Sequence, residues 1–193
     1  MRKTALVSLS IVLTALNPSP AYTQRADPSA TVAAQKEAMK SLALLDGVWR
    51  GPAWTLLENG QKQEMIQTER IGPFLDGAIR VVEGRGYDAA TGAAAFNAFA
   101  VISYDAAQKY YALRTYAQGR SGEFKLTPTA NGYIWEIPAG PMTIRYTVTI
   151  KDGLWNEIGE RITPGRDPVR FVELNLNRIG DTDWPAAGVI PRS

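Results

Sequence analysis

At 193 residues, with no cysteine, no histidine and 21 basic side chains against 19 acidic ones, the chain is long enough for one domain with a substantial core. The missing residue types exclude disulfides, thiol nucleophiles, Cys/His zinc sites, Ser-His-Asp triads and His-ligated haem. Any catalysis would rest on carboxylate, Tyr, Lys or Arg groups or a carboxylate-bound metal, and the near-neutral charge without basic clusters argues against nucleic acid or an acidic membrane as partner.

In chain order, Arg2 and Lys3, the apolar run Thr4–Leu16 and the small-residue site Ser19-Pro20-Ala21 form the three parts of an export signal. The run of 13 residues is too short to span a hydrocarbon core of roughly 30 Å as a helix. No later stretch is long enough either, so no membrane span is expected, and no cysteine follows to carry a lipid. Cleavage near Ala21 would place a mature chain of 172 residues, with 19 charges of each sign, in the periplasm or outside the cell. The expected organisation is a signal peptide over 1–21, a leader and helix over 22–46, a barrel domain over 47–179 and a tail over 180–193.

Asp27-Pro28 has the form of a helix start, a capping side chain followed by proline at the first helical position. Strong helix formers continue to Leu45, with Ala38, Met39, Leu42 and Leu45 on one face and Gly47 where a stop belongs. Such a helix either caps one end of a barrel or packs on its outside.

After Gly47 the pattern alternates, and ten strands are expected over 48–57, 63–71, 78–87, 94–104, 109–117, 122–128, 133–138, 142–150, 154–161 and 168–178. Turn residues such as Asn59-Gly60, Asp76-Gly77, Asn131-Gly132 and Asp152-Gly153 separate them, the dipeptides whose central positions tolerate positive φ. Connections are too short for crossover helices, so the sheet must be antiparallel and largely sequential. A ten-stranded meander removes its edges by closing. The fold expected is therefore all-β, a single up-and-down barrel preceded by one helix, with a β-sandwich as the alternative.

Gly47-Val48-Trp49, opening the first strand directly after the helix, resembles the first-strand signature of the calycin superfamily, the lipocalins and fatty-acid-binding proteins. The resemblance implies that Trp49 packs at the closed end of the barrel beneath an arginine from the last strand, and Arg178 stands where a cation–π partner would be required. The stretches Leu45-Asp46-Gly47-Val48-Trp49, Thr68-Glu69-Arg70-Ile71, Leu75-Asp76-Gly77, Glu83-Gly84-Arg85-Gly86-Tyr87, Ser103-Tyr104-Asp105, Arg145-Tyr146-Thr147 and Trp155-Asn156-Glu157-Ile158-Gly159-Glu160 are similar to a bacterial family of secreted or cytosolic calycin-like barrels of unassigned function. Haem-binding relatives with ten strands depend on a proximal histidine, which this chain lacks, so no cofactor is implied.

Faces follow from alternation. If Pro73–Gly77 forms the turn between the second and third strands, Glu69 lies opposite about Val81 and Gln67 opposite about Glu83. Met65, Gln67, Glu69, Ile71, Ile79, Val81, Glu83, Arg85 and Tyr87 then share the more apolar, inward face. A slipped register would instead put the charges in solvent. Arg114 and Tyr116 share one face of the fifth strand, a fork and a phenol suited to a carboxylate or carbonyl, although a solvated or structurally paired arginine would read the same way. Glu157 and Glu160, three apart, fall on opposite faces of a regular strand and make no pair. Glu69 with Glu83 is the better carboxylate couple. Trp54, Trp135 and Trp155 read as core or barrel lining.

Glu69, Glu83, Arg85, Tyr87, Arg114 and Tyr116 are thus the expected ligand-binding residues, with Trp49 and Arg178 structural and no metal site. Three functions follow: a barrel binding a small, largely apolar molecule with a polar or acidic group; a cofactor-free isomerase or cyclase using Glu, Arg and Tyr in the lumen; or an interaction protein with a filled barrel. No signal for oligomeric state is present.

Overall fold

The computed structural model describes residues 27–182 and 184. The export signal expected over 1–21, the expected leader up to Ala26 and most of the expected 180–193 tail lie outside the described residues. Helix α1 (Pro28–Met39) is followed by a 3-10 segment (Lys40–Leu45). The ten strands are β1 (Gly47–Leu56), β2 (Lys62–Phe74), β3 (Ile79–Asp88), β4 (Ala94–Asp105), β5 (Tyr110–Ala117), β6 (Arg120–Thr129), β7 (Gly132–Ala139), β8 (Met142–Lys151), β9 (Leu154–Ile162) and β10 (Val169–Gly180). Each pairs antiparallel with its neighbours in sequence, and β1 pairs with β10 to close the barrel. The closed form, rather than the sandwich, is the fold.

Local chemistry explains the connections. Asp152 and Gly153, at φ 52° and 75°, make the two-residue turn between β8 and β9, the primed geometry whose twist matches paired strands. Asp27 caps α1 by accepting from Ser29 N at 2.9 Å, with Pro28 at the first helical position. Among the described residues, no helix is long and apolar enough to cross a membrane.

The two ends of the barrel differ. At one end the inward side chains Trp49, Ile71, Ile102, Leu113, Leu126, Val148, Trp155 and Leu176 are buried together with Met39, Leu42 and Leu45. The 3-10 segment therefore plugs this end from within. The segment expected as one helix does both things proposed for it, because α1 itself lies outside, with Ala34 and Gln35 facing Ser103, Tyr104 and Ala112 across a groove. The change to 3-10 geometry at Lys40 turns the chain so that Leu42 and Leu45 enter the lumen. Tyr111 ties the two parts by donating from its hydroxyl to the Ala38 carbonyl at 2.9 Å.

Toward the other end the inward residues remain partly accessible: Phe96, Ala98, Thr115, Ala117, Phe124, Trp135, Ile144, Tyr146 and Val172 are all intermediate in exposure. The lumen is sealed at the plug and reached by solvent from the opposite mouth.

Candidate functional site

The register between β2 and β3 decides which charges enter the lumen. Strand β2 does not turn at Pro73 but runs on to Phe74, and the turn is Leu75–Ala78, with Leu75, Asp76 and Gly77 at φ 50°, 55° and 85°. Glu69 consequently faces Gly84 rather than Val81, and Gln67 faces Gly86. This displacement of three positions is odd, so every β3 side chain changes face. The inward β3 residues are Val82, Gly84 and Gly86, while Glu83, Arg85 and Tyr87 point outward.

Five of the six residues expected to bind ligand thus point outward and not into the lumen. Glu83 and Arg85 pair with each other on the exterior at 2.7 Å, and Tyr87 shares their outward face. Arg114, opposite Val101 and Glu123, is exterior as well. It pairs with Glu123 at 2.8 Å and donates to Ser103 Oγ at 3.2 Å. Tyr116 is 56% exposed. Glu83, Arg85 and Tyr116 do come together, in an open exterior groove of about 550 Å³ with Phe99 and Arg120, but not in the lumen. The structurally paired arginine is the reading that holds for Arg114. Arg114→Met should accordingly change unfolding free energy by less than about 1 kcal/mol, as for an exposed ion pair. Denaturant titration of the variant checks this.

Glu69 is inside as expected, 8% exposed, but its acidic companion is Glu157 rather than Glu83. Strand β9 is regular against β8, so Glu157 faces Val148 and Leu174 inside, whereas Glu160 lies opposite Arg145 outside. The signal for Glu157 was the alternation Trp155, Glu157, Gly159 on one face, matched across β10 by Leu176, Leu174 and Val172. Read from β9 alone, it pairs Glu157 with no residue of another strand.

Each luminal carboxyl has one neutral donor. Gln67 Nε2 donates to Glu69 Oε1 at 2.8 Å, and Trp155 Nε1 donates to Glu157 Oε2 at 3.3 Å. Glu69 lies flat on β3 because Gly84 has no side chain; a Cβ there would stand 2.7 Å from Glu69 Oε1. Burial, with the nearby Glu157 charge second, pushes Glu69 up to about 8, against the lowering effect of its bond from Gln67. Burial likewise raises Glu157 to about 7, partly offset by the Trp155 hydrogen bond. Desolvation favours the neutral acid, so near pH 7 the lumen holds protonated carboxyl and can both donate and accept. Tyr133, wholly within the core, is held well above the usual phenol range by burial and by the same two acids.

The wall above this tier is aromatic. Trp135 stacks on Tyr146 across the β7–β8 pair, centroids 4.4 Å apart and planes 9° apart. Phe124 flanks Trp135 at 5.4 Å and Phe171 meets Tyr146 at 5.8 Å. Trp135 and Trp155 are lining and core as expected, but Trp54 is exterior, under the ammonium of Lys62 at 3.7 Å. Among the described residues no group of three or more carboxylates is gathered to hold a metal ion.

At the plugged end Trp49 is inside, 1% exposed, donating from Nε1 to the Leu45 carbonyl at 2.9 Å. Arg178 sits opposite Trp49 on β10, but its guanidinium does not stack on the indole. It donates to the Asp46 carbonyl at 3.3 Å and 3.4 Å and pairs with Asp181 at 2.5 Å. The inward ring of Trp49 instead meets Trp155 edge-on at 5.6 Å.

No protein-family model matches the chain and no curated protein matches it in sequence. The class defined by fold and site is a closed ten-stranded antiparallel barrel, plugged at one end, with a luminal pair of carboxyls, Glu69 buried and Glu157 half-buried, beneath an aromatic half-lumen whose side chains are partly exposed.

Proposed function

We propose that this protein is an exported, calycin-like barrel that binds one small, largely apolar molecule with a polar group in the open half of its lumen. The observation that carries this reading is the gradient along the barrel: core packing at the plugged end, partly accessible aromatic side chains toward the mouth. Pockets of this kind, apolar walls with a few convergent polar groups, are what small ligands occupy. Gln67, Glu69 and Glu157 supply the polar groups in place of the Arg114–Tyr116 clamp. Export is supported by the tripartite start at Arg2 to Ala21, and the calycin likeness by Gly47-Val48-Trp49 at the mouth of the plug.

Thr115 faces Gly122 and Ala100 inside the accessible half. Thr115→Trp should fill that half and abolish the fluorescence rise of an apolar, polarity-sensitive dye that the unaltered protein produces, with unfolding still cooperative. A dye that ignores the wild type, or binds both proteins alike, would remove this reading. Native mass spectrometry of protein purified gently from its own compartment would then identify the bound molecule.

A second reading has one observation in its favour. Two carboxyls titrating at about 8 and about 7 are poised for proton transfer at neutral pH, as a cofactor-free isomerase or cyclase would require, Glu157 taking a proton and Glu69 returning one. Turnover lost in Glu157→Gln with ligand still bound would distinguish this from binding alone.

A further inference from the structure

We propose that the groove on the outside of the barrel, across strands β3 to β6, binds a short, straight saccharide chain. This site goes beyond the luminal reading and stands whether or not the lumen holds a ligand.

Two outward rows of side chains form the groove. Glu83 lies opposite Phe99, Phe99 opposite Tyr116 and Tyr116 opposite Ser121, one residue from each strand in line. Two residues nearer the mouth, Arg85 lies opposite Asn97, and Gln118 continues that row from the turn between β5 and β6. Gln118 and Gly119, at φ 50° and 75°, make the tight two-residue turn that fixes where the Gln118 amide stands. Between the rows run Gly84, Ala98 and Ala117, opposite one another on the inward face, so the floor is bare peptide. The rows are about 7 Å apart and the three strand spacings together span about 14 Å; the groove holds about 550 Å³.

Its walls differ in chemistry. Phe99 and Tyr116 are exposed, and among the described residues neither ring has an aromatic or cationic partner and the Tyr116 hydroxyl has no hydrogen bond. Other outward aromatic side chains are engaged: Trp54 under Lys62, Phe74 against Trp184, Tyr110 bonded to Glu123. On the facing wall Asn97 has no side-chain hydrogen bond among the described residues. Gln118 uses only Nε2, donating to the Ala95 carbonyl at 3.5 Å. Glu83 accepts both bonds from Arg85 on Oε1, which leaves Oε2 open.

A pyranose is divided in the same way. Its C–H faces, slightly positive, are drawn to the negative face of an aromatic ring, while each hydroxyl both donates and accepts. Two amides and a carboxylate oxygen answer both roles. One ring of a β-linked chain advances about 5 Å, close to the strand spacing of about 4.8 Å. Successive rings therefore meet Phe99 and then Tyr116, and the groove takes about three. A proline-rich peptide also suits aromatic grooves, but its carbonyls only accept, leaving Glu83 Oε2 unanswered. The floor cannot pair with a peptide backbone either, because its own groups are spent in the β3–β4–β5 ladders.

The probes for isothermal titration are cellotriose, tri-N-acetylchitotriose and a proline-rich decapeptide. Wild type should bind one or both trisaccharides at about 10 mM, well above the millimolar Kd of a weak site, and should not bind the peptide. Phe99→Ala and Tyr116→Ala should each weaken saccharide binding about tenfold, the scale of one lost stacking contact, with the urea midpoint unmoved. Thr115→Trp, which fills the lumen, should leave saccharide binding as it is. Binding of neither trisaccharide by wild type, or affinity that survives both aromatic substitutions, would overturn the proposal. Loss of binding in Thr115→Trp would overturn it in favour of the lumen, and binding of the peptide in favour of a protein partner.

Discussion

Urea unfolding should show this protein losing stability as pH rises from about 5 to about 8.5, and Glu69→Gln should remove much of that loss. Glu69 titrates at about 8 in the folded chain against 4.5 for an ordinary glutamate, and Glu157 at about 7. Below about pH 4.5 both are protonated whether the chain is folded or not, and neither costs anything. Between there and about pH 8 the unfolded chain releases protons that the folded one retains, so stability declines with pH. Above about pH 8 the full cost of charging both luminal carboxyls is present. At about 1.4 kcal/mol per pKa unit, the Glu69 contribution alone is on the order of 3–5 kcal/mol. Glu69→Gln keeps the shape and the bond with Gln67 but has no proton to release. It should be more stable than wild type at pH 8.5 by a few kcal/mol and nearly equal to it at pH 5. Glu157→Gln should in addition lower the Glu69 titration, because the Glu157 charge is its second cause. Superimposable stability curves for wild type and Glu69→Gln across this range would show that Glu69 is not a buried, high-pKa acid.

The plug supplies the other large effect. Trp49→Ala should cost about 3–5 kcal/mol, the range for deleting a fully buried large aromatic. Three contacts disappear with the indole: the edge-on packing with Trp155, the cover over Leu42 and Leu45, and the bond from Nε1 to the Leu45 carbonyl. The last leaves a buried acceptor unpaired. Trp49→Phe retains most of the ring area and loses that bond, so a smaller loss of about 1–2 kcal/mol is expected. Chemical denaturation of the two variants separates packing from hydrogen bonding; a loss below about 1 kcal/mol for Trp49→Ala would mean that the plug is not held by this residue.

How far the sequence could be read differs between strands and faces. The ten strands lie within a few residues of expectation because Asp-Gly and Asn-Gly turns punctuate them, and such turns are local chemistry. The orientation of β3 was not legible, because it depends on whether Pro73 bends the chain or continues it. A proline at the end of a strand is compatible with both, and the choice inverts Glu83, Arg85 and Tyr87 together. Glu69 was placed correctly since its own strand, Met65 to Ile71, alternates apolar residues around it. Glu157 could be set inside by parity within β9, but its meeting with Glu69 is a property of closure: the short way round from β9 to β2 runs through β10 and β1, across the seam that closes the barrel. No spacing within a single hairpin contains that information. Arg178 shows the same limit, since its position opposite Trp49 was readable and its choice of the Asp46 carbonyl over the indole face was not.

The seam between β1 and β10 has a consequence for how the molecule is made. Every other ladder joins strands adjacent in sequence, while this one brings Trp49 against Arg178, about 130 residues away. Hairpins can form in turn as the chain emerges, at low cost in loop closure, but the cylinder cannot shut until its last strand arrives. Until then β1 and β9 both stand as bare edges, open to pairing with other chains. Molecules shortened before Val169 would keep that hazard permanently. The interval before closure is also when the lumen is widest, so an amphiphile present at that moment could be enclosed by folding rather than having to enter through the finished mouth.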